Sequence, residues 1–189
     1  MLCISACTKE DQWSLALKTF QSMLKKGMKP NLVACNALIN TLGKAGKVGL
    51  VFKVYSVAKS LGHRPDEYTW NALLTAIYKA DRYEDVLQLF DMIRSESLCG
   101  VNGYLYNRAL MSCQKLGCWE KAVKLLYEME GSGLAVSTPS YNLVLSACEK
   151  SGSLKLRCEY MSIWFKGSKA EPDVSLYNAA IHAWDVFKT

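Results

Sequence analysis

The chain has 189 residues, half of them hydrophobic, with 23 Lys and Arg against 17 Asp and Glu for a net charge of +6. That supply of apolar residues is ample for a core, and the mild basicity suits an anionic partner. No apolar run approaches the ~18 residues of a membrane helix, and no signal or transit segment is visible at Met1.

In chain order, the first element is incomplete. MLCISAC at the start matches the middle of a phrase that recurs five more times. A second apolar pattern follows at Ala16, Leu17, Phe20 and Met23, closed by Gly27 and Pro30. The first complete unit, 32–66, opens with CNALINTL from Cys35, stops at KAG from Lys44, and closes at Gly62 and Pro65. The second, 67–102, carries WNALLTAI, whose Trp70, Leu73, Leu74 and Ile77 fall at i, i+3, i+4 and i+7, one face of a helix. The third, 103–137, carries YNRALMSC, the stop KLG from Lys115, and a second helix marked by Ala122, Val123, Leu125, Leu126 and Met129. The fourth, 138–173, repeats the phrase as YNLVLSAC, with KSG from Lys150 and Pro172 at its joint. A last partial unit, 174–189, begins YNAAIHAW. The Asn of the phrase recurs at Asn36, Asn71, Asn107, Asn142 and Asn178, with spacings of 35, 36, 35 and 36.

Each unit therefore predicts two helices. Gly46, Gly117 and Gly152 suit the left-handed residue past a first helix, and Pro30, Pro65 and Pro172 break the joints where they stand. One hairpin cannot bury both faces, so neighbours must stack into an all-α superhelix with a groove along one side. The array is expected to be one solenoid, 1–189, with partial repeats 1–31 and 174–189, cut from a longer run. Unprotected end units leave self-association open.

The eight cysteines form no C-x-x-C, and only His63 and His182 are at hand to help a metal. Cys7, Cys113 and Cys148 share a slot with Leu42, Ile77 and Trp184, which marks a packing position. No metal, cofactor or catalytic set is expected: there is no phosphate-cradling loop and no deaminase H-x-E with C-x-x-C.

Asn is a poor helix-interior residue, yet it offers a donor and an acceptor on a short side chain. Two readings stand at this point. Asn either caps or turns the chain, or it meets a ligand in the groove.

The YN phrase, the K-x-G stop, the A-x-x-L-F/L-x-x-M second helix and the G-x-x-P-D/N joint together resemble the pentatricopeptide repeat family, plain 35-residue type. The tetratricopeptide alternative expects W-x-x-L-G-x-x-Y, which no copy has. The resemblance implies a right-handed superhelical α-solenoid that binds single-stranded RNA, one base per repeat. It implies reading pairs at Asn36 with Asp66, Asn71 with Asn102, Asn107 with Ser137, and Asn142 with Asp173, while Asn178 lacks its partner. Asn with Asp favours U, and Asn with Asn or Ser favours C less sharply, so the implied core is U-C-C-U. The slot three before each Asn is implied to grip the base. It holds Val33, Tyr68 and Tyr104, then Pro139 and Ser175, which depart from the small aliphatic pattern. The joints at Cys99-Gly100-Val101 and Ala135-Val136 also depart from the usual Lys-Pro.

Lys9, Lys44, Lys79, Lys115 and Lys150 share a slot at the end of the first helix. The resemblance makes them phosphate contacts; complementing the helix dipole is the other reading. By family the protein would act in organellar RNA processing, splicing, stabilisation or translation, in a chloroplast or mitochondrion. A scaffold binding protein partners through the same groove is the alternative.

Overall fold

A computed structural model describes residues 13–96 (with Glu96 as backbone only) and 101–151. Within them the chain forms eight α-helices: α1 (Trp13–Lys25), α2 (Leu32–Lys44), α3 (Val48–Ser60), α4 (Glu67–Lys79), α5 (Tyr83–Glu96), α6 (Gly103–Leu116), α7 (Trp119–Gly131) and α8 (Thr138–Lys150). The chain divides into two compact units, Met1–Leu89 and Phe90–Thr189, with the boundary inside α5.

Starts and stops of the helices follow from local chemistry. The last residue of each repeat is the N-cap of the next first helix. Asn31 Oδ1 accepts from Ala34 N at 2.9 Å, Asp66 Oδ1 from Thr69 N at 2.8 Å, and Asn102 Oδ1 from Leu105 N at 2.9 Å. Each bond satisfies one of the orphan amides of a helix start, a contribution of about 1 kcal/mol. Ser137 sits at the same place before α8 but makes no side-chain cap bond. Capping thus belongs to the residue five before each recurrent Asn. Asn36, Asn71, Asn107 and Asn142 lie inside the helices, which removes the capping reading for them.

Gly46 and Gly117 take left-handed φ values of 68° and 72° after the first helices, as expected. The second repeat has Asp81 in that slot, also left-handed at φ 57°. Asp tolerates this region better than most residues because its short polar side chain can bond locally. Here Asp81 Oδ1 accepts from the Tyr83 hydroxyl, which helps to push the Tyr83 pKa up to about 12. Glu84 and Asp85 occupy the first turn of α5, where they complement the helix dipole, and Asp81 lies before it.

In the first unit α2 packs on α4, and both rest on α3. Cys35, Leu38, Ile39 and Leu42 of α2 and Leu73, Leu74 and Ile77 of α4 are completely buried, each large side chain contributing about 1.5–3 kcal/mol. Gly43 permits the close approach: a Cβ built there would lie 2.6 Å from Ala76 Cβ. In the second unit α6 packs on α7 and α8. Phe90 meets the edge of Tyr106, ring centroids 5.2 Å apart, over a core of Leu110, Ala122, Leu125, Met129 and Val144. Lys121 Nζ reaches Asp91 at 2.7 Å, and Arg94 pairs with Glu128.

The cysteine slot is a packing position wherever it is described: Leu42, Ile77, Cys113 and Cys148 are all fully buried. Desolvation raises the Cys35 thiol pKa and pushes that of Cys113 up to about 12.

Candidate nucleic-acid interface

Asn36 is the fifth residue of α2 and only 5% exposed. Packing of α2 against α4 carries it to the α4 N-terminus. There Asn36 Nδ2 donates to Asp66 Oδ1 at 3.2 Å, and Asn36 Oδ1 accepts from Thr69 Oγ1 at 2.9 Å. The first reading pair implied by the sequence is thus in direct contact, 30 residues apart in the chain. Because an ionised carboxylate only accepts, the nitrogen end of the amide must be the end that faces Asp66. Thr69 Oγ1 also lies 2.6 Å from Asp66 Oδ1. Having one proton, the hydroxyl serves Asn36 or Asp66 at any moment.

Burial works to raise the Asp66 pKa. Hydrogen bonds from the Thr69 side chain and backbone and from Asn36 outweigh it, and the carboxyl is held below its ordinary 3.8. These donors converge on Oδ1 and leave Oδ2 for other company. Near this pair in the sequence, Val33 is 70% exposed and Tyr68 67% exposed, two apolar side chains one repeat apart. Further along α4, Asn71 Oδ1 is buried with no partner among the described residues. Its implied partner, Asn102, falls in the other compact unit.

The second unit brings its pair together differently. Ser140 Oγ donates to Asn107 Oδ1 at 2.8 Å and lies 3.1 Å from Ser137 Oγ. Ser137 and Asn107 are linked through Ser140. Tyr104, 43% exposed, is covered by Arg108, whose guanidinium carbon is 5.1 Å from the ring centroid and whose Nη2 bonds the phenol oxygen at 2.9 Å. Asn142 is half-buried on α8, and Pro139 near its start is exposed. Asp173, Asn178, Ser175 and Lys9 lie outside the described residues.

Lys44, Lys79, Lys115 and Lys150 are exposed in the last turns of α2, α4, α6 and α8, where they complement the helix dipoles. Thr69, Ser140 and Arg108 were not singled out by sequence reasoning. A signal existed for each: a hydroxyl two before Asn71 and Asn142, and an Arg after Asn107 where Ala37, Ala72 and Leu143 stand elsewhere.

Capped first helices packed on one another within each unit, with an amide meeting its closing residue directly at Asn36/Asp66 and through Ser140 at Asn107/Ser137, define a helical-hairpin repeat protein. Family models match nearly the whole described chain: the PPR repeat family at residues 30–79, the pentatricopeptide repeat domain at 2–45, and the PPR repeat at 68–98 and 104–134. The chain belongs to the pentatricopeptide repeat family.

A pentatricopeptide repeat-containing protein of Arabidopsis thaliana is 69% identical over an alignment covering 49% of this chain and 22% of its own. A second Arabidopsis relative is 22% identical across 93% of this chain and 40% of its own. Among solved structures, maize PPR10 matches with TM-score 0.66 at 22% identity over 95% of this chain and 26% of its own. Nuclear proteinaceous RNase P 2 of A. thaliana matches with TM-score 0.73 at 14% identity over 86% of this chain and 37% of its own. These two likenesses show the fold, an all-α solenoid of stacked hairpins. PPR10 has also been solved in complex with an 18-nt psaJ RNA element. The chain spans less than half the length of each of these proteins.

Proposed function

We propose that this chain is a single-stranded RNA-binding module, one repeat array over residues 1–189, reading one base per repeat by hydrogen bonding rather than by chemistry. The observation that carries the reading is the meeting of Asn36 and Asp66, with Val33 and Tyr68 exposed near them in the sequence. An amide and a carboxylate supply donors and acceptors for one base edge, and the flanking apolar side chains supply faces for it to stack on. Family membership and the RNA complex of PPR10 support it.

On this reading the pairs Asn36/Asp66, Asn71/Asn102, Asn107/Ser137 and Asn142/Asp173 select U-C-C-U, and the exposed Lys44, Lys79, Lys115 and Lys150 approach phosphates. Its setting is RNA processing, splicing, stabilisation or translation in a plant organelle. One relative's printed name is chloroplastic, which supports an organellar setting.

The test is a fluorescence-anisotropy titration of short pyrimidine and purine RNAs at two salt concentrations. Binding is expected for UCCU-containing RNA, weaker for its purine counterpart, and weakened by salt as phosphate contacts are screened. Equal, negligible binding of both RNAs defeats the proposal and leaves a scaffold for protein partners.

A further inference from the structure

We infer that Ser140 is the positioning residue that sets the amide of Asn107, and that Ser137 influences base choice at that repeat only through it; the inference rests on the RNA-reading function proposed above. Three observations lead there. Ser140 is completely buried, in the first turn of α8, and its hydroxyl donates to Asn107 Oδ1 at 2.8 Å. The Ser140 hydroxyl also touches Ser137 Oγ at 3.1 Å, so the two serines and the amide form a chain. Ser137, unlike Asn31, Asp66 and Asn102, makes no cap bond, so its hydroxyl is not spent on the helix start.

The chemistry of the chain sets what Asn107 presents. With its oxygen turned to Ser140, the amide keeps its Nδ2 donor for an outside acceptor, such as a pyrimidine carbonyl or ring nitrogen. A turned amide presents its oxygen instead, which suits the exocyclic amine of adenine or cytosine. The first unit provides the internal control. Thr69 holds the same slot against Asn36, but there Asp66 already fixes the amide orientation by direct contact.

The test compares Ser140→Ala and Ser140→Thr with the unchanged protein. RNAs carrying U, C or A at the one nucleotide facing Asn107 report base choice, and the side-chain amide resonances of Asn107, assigned by their loss in Asn107→Asp, report its setting without RNA. Ser140→Ala is expected to shift that amide pair and lower the preference for U over adenine at that nucleotide by about three- to tenfold, the scale of one hydrogen bond. Ser140→Thr restores both. Thr69→Val is expected to change preference at the Asn36 nucleotide by no more than about twofold, since a carboxylate still holds the donor end. An amide pair unmoved by Ser140→Ala overturns the inference whether or not RNA binds. A moved pair with unchanged base preference overturns its role in reading. If no RNA binds, the RNA-reading function fails, and the amide resonances alone decide whether Ser140 sets Asn107.

Discussion

The two compact units perform the same local task with different chemistry. In the first, a carboxylate holds the amide: Asp66 accepts directly from Asn36, and a carboxylate with no proton to give permits one amide orientation. In the second, two hydroxyls hold it: Ser140 donates to Asn107, and the Ser137 hydroxyl meets that of Ser140. A chain of hydroxyls can reverse its direction of donation, because each oxygen both gives and accepts. Helix contact differs in the same way. Gly43 presses its backbone on Ala76 in the first unit, whereas the corresponding Gln114 of the second reaches across to Ser146 Oγ at 3.0 Å. The lesson is that a repeat can conserve its geometry while exchanging a rigid charged contact for an adjustable neutral one.

The largest effect expected is on base choice. Asn36→Ala should lose about 1–3 kcal/mol of discrimination at its nucleotide, taking direct readout of bases as the guide. Asn107→Ala should lose less, because its hydroxyl-held amide discriminates less to begin with. Titration against RNAs varied at each position checks this, and equal losses at the two positions break the comparison. Next comes packing. Gly43→Ala forces the α2–α4 contact apart and should cost about 1–3 kcal/mol, offset in part by the better helix propensity of Ala. Gln114→Ala forfeits one part-buried hydrogen bond and should cost about 1 kcal/mol or less in chemical denaturation.

The acid response separates the units further. The folded Asp66 pKa lies below its ordinary 3.8, so its ionised form stabilises the fold fully above that value. The contribution is lost as pH falls through the lowered folded pKa. Thermal midpoints should therefore fall less steeply below about pH 4 in Asp66→Asn than in the unchanged chain. The pair in the second unit has no carboxylate, so Ser137→Ala should leave the acid slope as it is. The smallest effect is on thiol labelling. Exposed Cys118 should react with iodoacetamide well before buried Cys35, Cys113 and Cys148, as peptide mapping by mass would read.

The sequence alone determined the helices and their stops, because each depends on neighbours within a turn or two, and the mixed Cys, Leu and Ile filling of one slot marked it as buried. Periodic apolar residues mark the inner face of α2, α4 and α6, and Gly46 and Gly117 mark the stops. Asp81 shows the limit of that reading: the second repeat makes the same left-handed turn without a glycine, held by a local bond to Tyr83. Pairing Asn36 with Asp66 came from family resemblance, and the contact between them came from the stacking of α2 on α4. Tertiary structure alone decided which end of the Asn36 amide faces inward, that Thr69 and Ser140 supply hydroxyls, and that Gly43 yields to Ala76. Each joins residues 30 or more positions apart, and the direction of a hydrogen bond there depends on which donors the next repeat delivers. Local propensity carries no information about that delivery.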